Sequence, residues 1–113
     1  MDVIVARKLL EQMRDELDRS ISILQGVEPV GRLDGDAADA GASLSENDRT
    51  EAILSTARGQ RDCVMAALDR IEQSRYGRCV DCGHEIPEGR LEARPDAARC
   101  VPCQSKHARR YRF

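Results

Sequence analysis

Two short runs decide the fold: Cys79-Val80-Asp81-Cys82 and Cys100-Val101-Pro102-Cys103. Seventeen residues separate the two C-x2-C pairs, which is within the spacing of a tetrahedral four-thiolate zinc site. Each pair offers two sulfurs from one tight turn, and the loop between them is long enough to fold back and close the tetrahedron. Gly83, directly after the first pair, lets the backbone bend close to the metal and aim N–H groups at sulfur. Four sulfurs leave no open coordination position, so one structural Zn2+ on Cys79, Cys82, Cys100 and Cys103 is expected, and no catalytic metal. Spacing alone also admits an iron centre, but the tight turns and intervening length favour zinc. A redox C-x-x-C would follow a strand and open a long helix, which neither pair does.

Around the pairs, Gly77, Gly83, Pro87, Gly89, Pro95 and Pro102 divide residues 76–103 into short turns. A short basic helix is expected near Pro102, running through Lys106, Arg109 and Arg110, with Pro102 at a first-turn position where a missing N–H costs nothing. His84 reads as a surface turn residue and His107 as part of a solvated helix face. Cys63 lies far from both pairs, as a small half-buried side chain or a redox-sensing thiol.

Toward the N-terminus the periodicity becomes helical. Leu10, Met13, Leu17, Ile21 and Leu24 recur at steps of three and four, with charged residues between them, and the pattern stops at Gln25-Gly26. Residues 26–48 are rich in Gly, Asp, Ala and Ser, which predicts a flexible connection. A capping box at Ser43-Leu44-Ser45-Glu46, or Asn47 as a rival N-cap, predicts the start of a second helix of about 28 residues. Its seam is Ile53, Ala57, Gln60, Val64, Ala67 and Ile71. Matching seams joined by a flexible segment predict an antiparallel hairpin that extends as a rod. The domain division is therefore 1–75 for the hairpin, with an acidic tip at about 26–47, and 76–113 for the finger and C-terminal helix. A bundle or a dimer seam would use the same apolar stripes.

Composition narrows the class. In 113 residues, aromatics supply 3% and charged residues 34%, too few large rings for a thick globular core, so a second stabilising device such as a metal is needed. The formal net charge of −2 argues against non-specific nucleic-acid binding over the whole surface. No apolar stretch approaches the roughly 20 residues of a membrane span. Five cysteines, an odd number, fit a reducing compartment better than a disulfide framework, and a cytoplasmic protein is expected.

The run Tyr76-Gly77-x-Cys79-x-Asp81-Cys82-Gly83-x-x-Ile86-Pro87-x-x-Arg90-Leu91-Glu92-Ala93-Arg94-Pro95, closed by Cys100-x-x-Cys103, resembles the DksA/TraR C4 zinc-finger family. The match is strong over about 75–104, and the hairpin before it has the family's layout with a shorter N-terminal part. The resemblance implies an all-α fold, a long antiparallel coiled coil on a globular zinc-finger end. It also implies a regulator of bacterial RNA polymerase whose coiled coil enters the secondary channel, with acidic tip residues acting near the catalytic Mg2+. Counted back from Cys79, the family's tip signature falls on Asp36 and Asp39, with Gly41 where Ala or a similar residue is usual. Basic residues on the second coiled-coil helix, used by some members to respond to guanosine tetraphosphate, are replaced here by Thr56, Gln60 and Cys63.

Charge is polarised along the chain. Asp34, Asp36 and Asp39 make the tip acidic, while Arg90, Arg94, Arg99, Lys106, Arg109, Arg110 and Arg112 outnumber the acids of the finger end. Such a rod can be oriented as it docks. Arg90, Arg94, Arg109 and Arg110 are the expected partner-binding residues of the basic end; Arg90 and Arg94 could equally brace the finger. The expected partner is RNA polymerase, bound by a monomer with no enzymatic activity, and direct DNA binding is not expected. The competing reading is a zinc-finger adaptor that binds nucleic acid or a protein through the basic end. The lack of stacking aromatics near the finger counts against nucleic acid.

Overall fold

A computed structural model describes residues 2–26 and 40–110, with side chains described for 2–26 and 47–109. Four helices make up the described chain: α1 (Val3–Leu24), α2 (Ala40–Glu72), α3 (Glu88–Ala93) and α4 (Val101–Arg110). The one extended pairing among the described residues is an isolated antiparallel bridge between Arg78 and Glu85.

α1 begins where Asp2, in an extended conformation, accepts a hydrogen bond from the Ile4 N–H at 3.1 Å through Oδ1. It ends at Gln25 and Gly26, with Gly26 in the left-handed region at φ +75°. α2 departs from expectation at its start. Its backbone is helical from Ala40, so the Ser43–Glu46 capping box lies inside the helix, and 40–47 belong to the arm and not to the connection. Ala40 and Ala42 favour a helix, and the single Gly41 between them costs about 1 kcal/mol without stopping it. The 33 residues of α2 reach about 50 Å. Its C-terminus closes in a Schellman arrangement: Ser74 takes φ +59°, its N–H bonds to the Ile71 carbonyl at 3.1 Å, and the Arg75 N–H reaches back to the Arg70 carbonyl at 2.7 Å.

α1 and α2 pack antiparallel along the expected seam. Ala6 and Leu10 are buried against Val64, Ala67 and Ile71, with Met13, Leu17 and Leu68 packed around them. Two ion pairs hold the register, Arg7 with Glu72 at 2.8 Å and Asp18 with Arg61. They lie eleven residues apart on each helix, so one alignment satisfies both. Toward the arm's far end the seam differs from expectation: Leu54 is buried and Ile53 is 48% exposed. An α-helix does not repeat at seven residues, and the line of contact drifts around α2 until the neighbouring column meets α1.

The finger folds around a second, smaller core of Cys79, Ile86, Leu91 and Ala97. α3 sits where short turns alone were expected. Its six residues are too few to show a period, but Pro87 before it and Glu88 in its first turn are helix-start signals. Tyr76 packs against both cores, and its hydroxyl donates to the Pro95 carbonyl at 2.8 Å. The arm and finger thus meet through this ring and through Arg70 of α2, whose Nη2 donates to the Ala97 carbonyl at 3.4 Å. The molecule is elongated, 55 × 35 × 21 Å.

Candidate metal centre

The first knuckle is a tight hairpin. The Cys79 N–H bonds to the His84 carbonyl at 2.8 Å, the Gly83 N–H returns to the Cys79 carbonyl at 3.0 Å, and the Ile86 N–H reaches Gly77 at 2.8 Å. Gly77 at φ +87° and Gly83 at φ +77° make the two bends, in a region that L-residues rarely occupy. The second knuckle opens α4, where the Gln104 N–H bonds to the Cys100 carbonyl at 2.9 Å. The Val80 N–H crosses to the Ala98 carbonyl at 2.9 Å and ties the knuckles together.

The four sulfurs of Cys79, Cys82, Cys100 and Cys103 all lie within 4.8 Å of one another, and those of Cys82 and Cys100 are 3.8 Å apart. A tetrahedron with Zn–S of about 2.3 Å puts its sulfurs about 3.8 Å apart, so the donor set fits one zinc ion in size, number and chemistry. The spacing is far too long for a disulfide. The backbone supports the thiolate form. Burial pushes the Cys79 thiol up, but N–H groups of Cys82, Cys100 and Asp81 more than offset this and bring it down to about 6. The Cys103 thiol is pushed up to about 12, chiefly by its hydrogen bond with Cys100 and by burial. Cys82 too is raised, and with sulfurs this close the protons on Cys82 and Cys103 are held until a cation displaces them.

Side chains around the centre brace it. Arg99 donates from Nε to Asp81 Oδ2 at 2.8 Å, clasping the middle of the first knuckle to the residue before the second. That clasp was readable only as opposite charges at fixed offsets from the two pairs. His84 Nδ1 lies 3.3 Å from Cys82 Sγ, so this histidine touches a ligand without joining the set. Arg90 Nε donates to the Arg99 carbonyl at 2.9 Å, and Arg94 pairs with the buried Asp96 at 3.7 Å. Both arginines therefore have partners inside the finger. Arg109 is exposed on α4, and Arg110 ends that helix. Asp36 and Asp39 lie outside the described residues. Cys63 is exposed on α2, not half-buried.

Residues 74–109 match the prokaryotic dksA/traR C4-type zinc finger. The chain is 32% identical to the RNA polymerase-binding transcription factor DksA of Caulobacter vibrioides, covering 94% of this chain and 75% of that protein. This chain belongs to the DksA family. It is 31% identical to the DksA of Escherichia coli over 88% of its own length, and spans 66% of that relative. Among solved structures, DksA2 of Pseudomonas aeruginosa superimposes with a TM-score of 0.78 at 26% identity, covering 98% of this chain and 86% of that one. The DnaK suppressor protein of Agrobacterium tumefaciens does so with a TM-score of 0.64 at 28% identity, over 94% of both. As in the DksA family's C4 finger, the four cysteines here form a structural zinc site with no position for substrate. Among the described residues, no helix is long and apolar enough to cross a membrane.

Proposed function

We propose that this chain is a regulator of transcription that binds RNA polymerase and inserts its helical arm into the secondary channel. The observation that carries the proposal is the arm itself: a two-helix hairpin, held in one register by paired charges and fixed at its base to a zinc-locked finger. Supporting it, the chain is 31–32% identical to relatives that are named for polymerase binding, and its fold is like that of the transcription factor DksA2 of Pseudomonas aeruginosa. In this reading Asp36 and Asp39 act near the catalytic centre. Carboxylates are hard oxygen ligands, suited to Mg2+ or to basic polymerase groups. Arg109 and Arg110 on α4, with the largely exposed Arg94, face an acidic rim, while Arg90 shapes the finger from within. The zinc is structural and the chain supplies no catalysis of its own. A polymerase partner places it in the cytoplasm, acting as a monomer.

The test pairs binding with activity. Asp36→Asn combined with Asp39→Asn should leave binding to core polymerase within about two-fold and abolish the effect on open-complex lifetime in transcription with purified components. Unchanged regulation by the double variant would refute the tip mechanism. Loss of binding by the same variant would move the acidic residues from action to docking.

A further inference from the structure

Of the four sulfur ligands, Cys82 is the exposed one: Cys79 is buried, and Cys100 and Cys103 are half-buried. It borders an open cleft of about 570 Å3, lined also by Asp81, Arg99 and Cys103, so small molecules in solvent can reach it. A zinc-bound thiolate keeps part of its negative charge and remains a nucleophile, and a ligand that electrophiles can reach is the weak point of the centre.

Two donors of one residue face this sulfur. The His84 backbone N–H is the largest influence on the acidity of Cys82 and favours its thiolate, although burial and the neighbouring thiols of Cys79 and Cys100 leave the group raised. The His84 imidazole adds a second contact, with Nδ1 3.3 Å from Cys82 Sγ, a hydrogen-bonding distance for sulfur. The residue is anchored for this, because its carbonyl accepts from the Cys79 N–H at 2.8 Å within the knuckle. The nearby cation cannot substitute, since Arg99 Nε is spent on Asp81 Oδ2.

Metal loading decides which way the imidazole contact runs. A sulfur bound to zinc has no proton left to give, so it can only accept, and Nδ1 must be the donor. In the neutral ring the proton is then on Nδ1 and Nε2 is bare. Such a bond draws charge from sulfur, and a thiolate so held is a poorer nucleophile and a better-seated ligand. We infer that His84 is a positioning residue of the zinc centre, whose Nδ1–H holds the Cys82 thiolate on the metal and guards that exposed sulfur against electrophiles. The inference concerns the metal centre alone and rests on no part of the polymerase reading.

Two variants separate the hydrogen bond from simple cover. His84→Asn keeps an N–H donor at the position of Nδ1 and removes the ring, while His84→Phe keeps a ring and removes the donor. The parent is the full chain with Cys63→Ser, so that the exposed thiol of α2 does not consume reagent, and parent and variants are each loaded with one zinc before use. N-ethylmaleimide is added and zinc release is followed with a colorimetric indicator: the Cys82 sulfur bonds to one alkene carbon, the other alkene carbon takes a proton from water, and the Zn–S bond breaks. His84→Phe should release zinc about three- to ten-fold faster than the parent, at or below the low end of what a lost partner of a metal ligand costs, and His84→Asn should stay within about two-fold of the parent. The ring itself is read in the zinc-loaded, nitrogen-15-labelled parent from long-range proton–nitrogen correlations, which tell a protonated ring nitrogen from a bare one. A proton on Nδ1 of His84 is expected, the reverse of the form that a neutral histidine favours in water. A bare Nδ1, equal release from the parent and His84→Phe, or release from His84→Asn as fast as from His84→Phe would each overturn the assignment.

Discussion

Removing the metal should unfold the finger and leave the arm standing. Among the described residues, Ile86 and Leu91 are the large aliphatic side chains buried in the finger's core. At about 1.5–3 kcal/mol each, they contribute less than the roughly 10–16 kcal/mol that structural zinc gives at neutral pH. The core of the arm is a separate cluster, built from Ala6, Leu10, Val64, Ala67 and Ile71, and among the described residues it is joined to the finger's core through Tyr76. α3 and α4 hold 6 and 10 helical residues against 22 and 33 in α1 and α2. Complete chelation, followed by a colorimetric zinc indicator, should therefore lower the far-UV helical signal by about a fifth and no further. The proton balance gives the same result a pH dependence. Zinc needs thiolates, and in the metal-free cluster Cys79 lies at about 6 while Cys103 is held at about 12. Binding must release protons, so affinity falls as pH falls and drops further below about 6, where Cys79 too is protonated. An unchanged helical signal with zinc fully removed, or pH-independent retention of the metal, would refute the reasoning.

Leu10 is fully buried in the seam of the arm, and Leu10→Ala should cost about 2–5 kcal/mol of unfolding free energy in urea melts, without loss of zinc. Gly83 sits at φ +77° with open space where a Cβ would stand, so Gly83→Ala meets backbone strain alone, about 1–2 kcal/mol, and should weaken zinc roughly 5- to 30-fold in chelator competition. Tyr76→Phe removes the hydroxyl that holds Pro95 and should cost about 0.5–1.5 kcal/mol, read as earlier finger unfolding at constant zinc content.

The zinc site was legible because coordination geometry ties ligand identity to spacing, and Cys79, Cys82, Cys100 and Cys103 meet as that spacing requires. The seam was legible at the base, from Val64 to Ile71, where the heptad and the helix are still in phase. Farther out phase is lost, which is why Leu54 and not Ile53 is buried. The start of α2 was masked by Ser43 and Glu46, which cap well but also tolerate a helix interior when the residues before them are small. Contacts between distant residues were hidden for another reason. Arg99 with Asp81, Tyr76 with Pro95, and the burial of Asp96 depend on how the finger folds back, and no local pattern encodes them. The same folding decides between the two readings of Arg90 and Arg94, partner-binding charge or brace, in that both hold partners inside the finger.

Binding of the zinc-loaded chain to purified core RNA polymerase, in competition with an established secondary-channel protein, probes the proposed role directly. Saturable binding displaced by the competitor is the predicted result. Absence of binding, or binding that the competitor leaves intact, would contradict the role assigned to the arm.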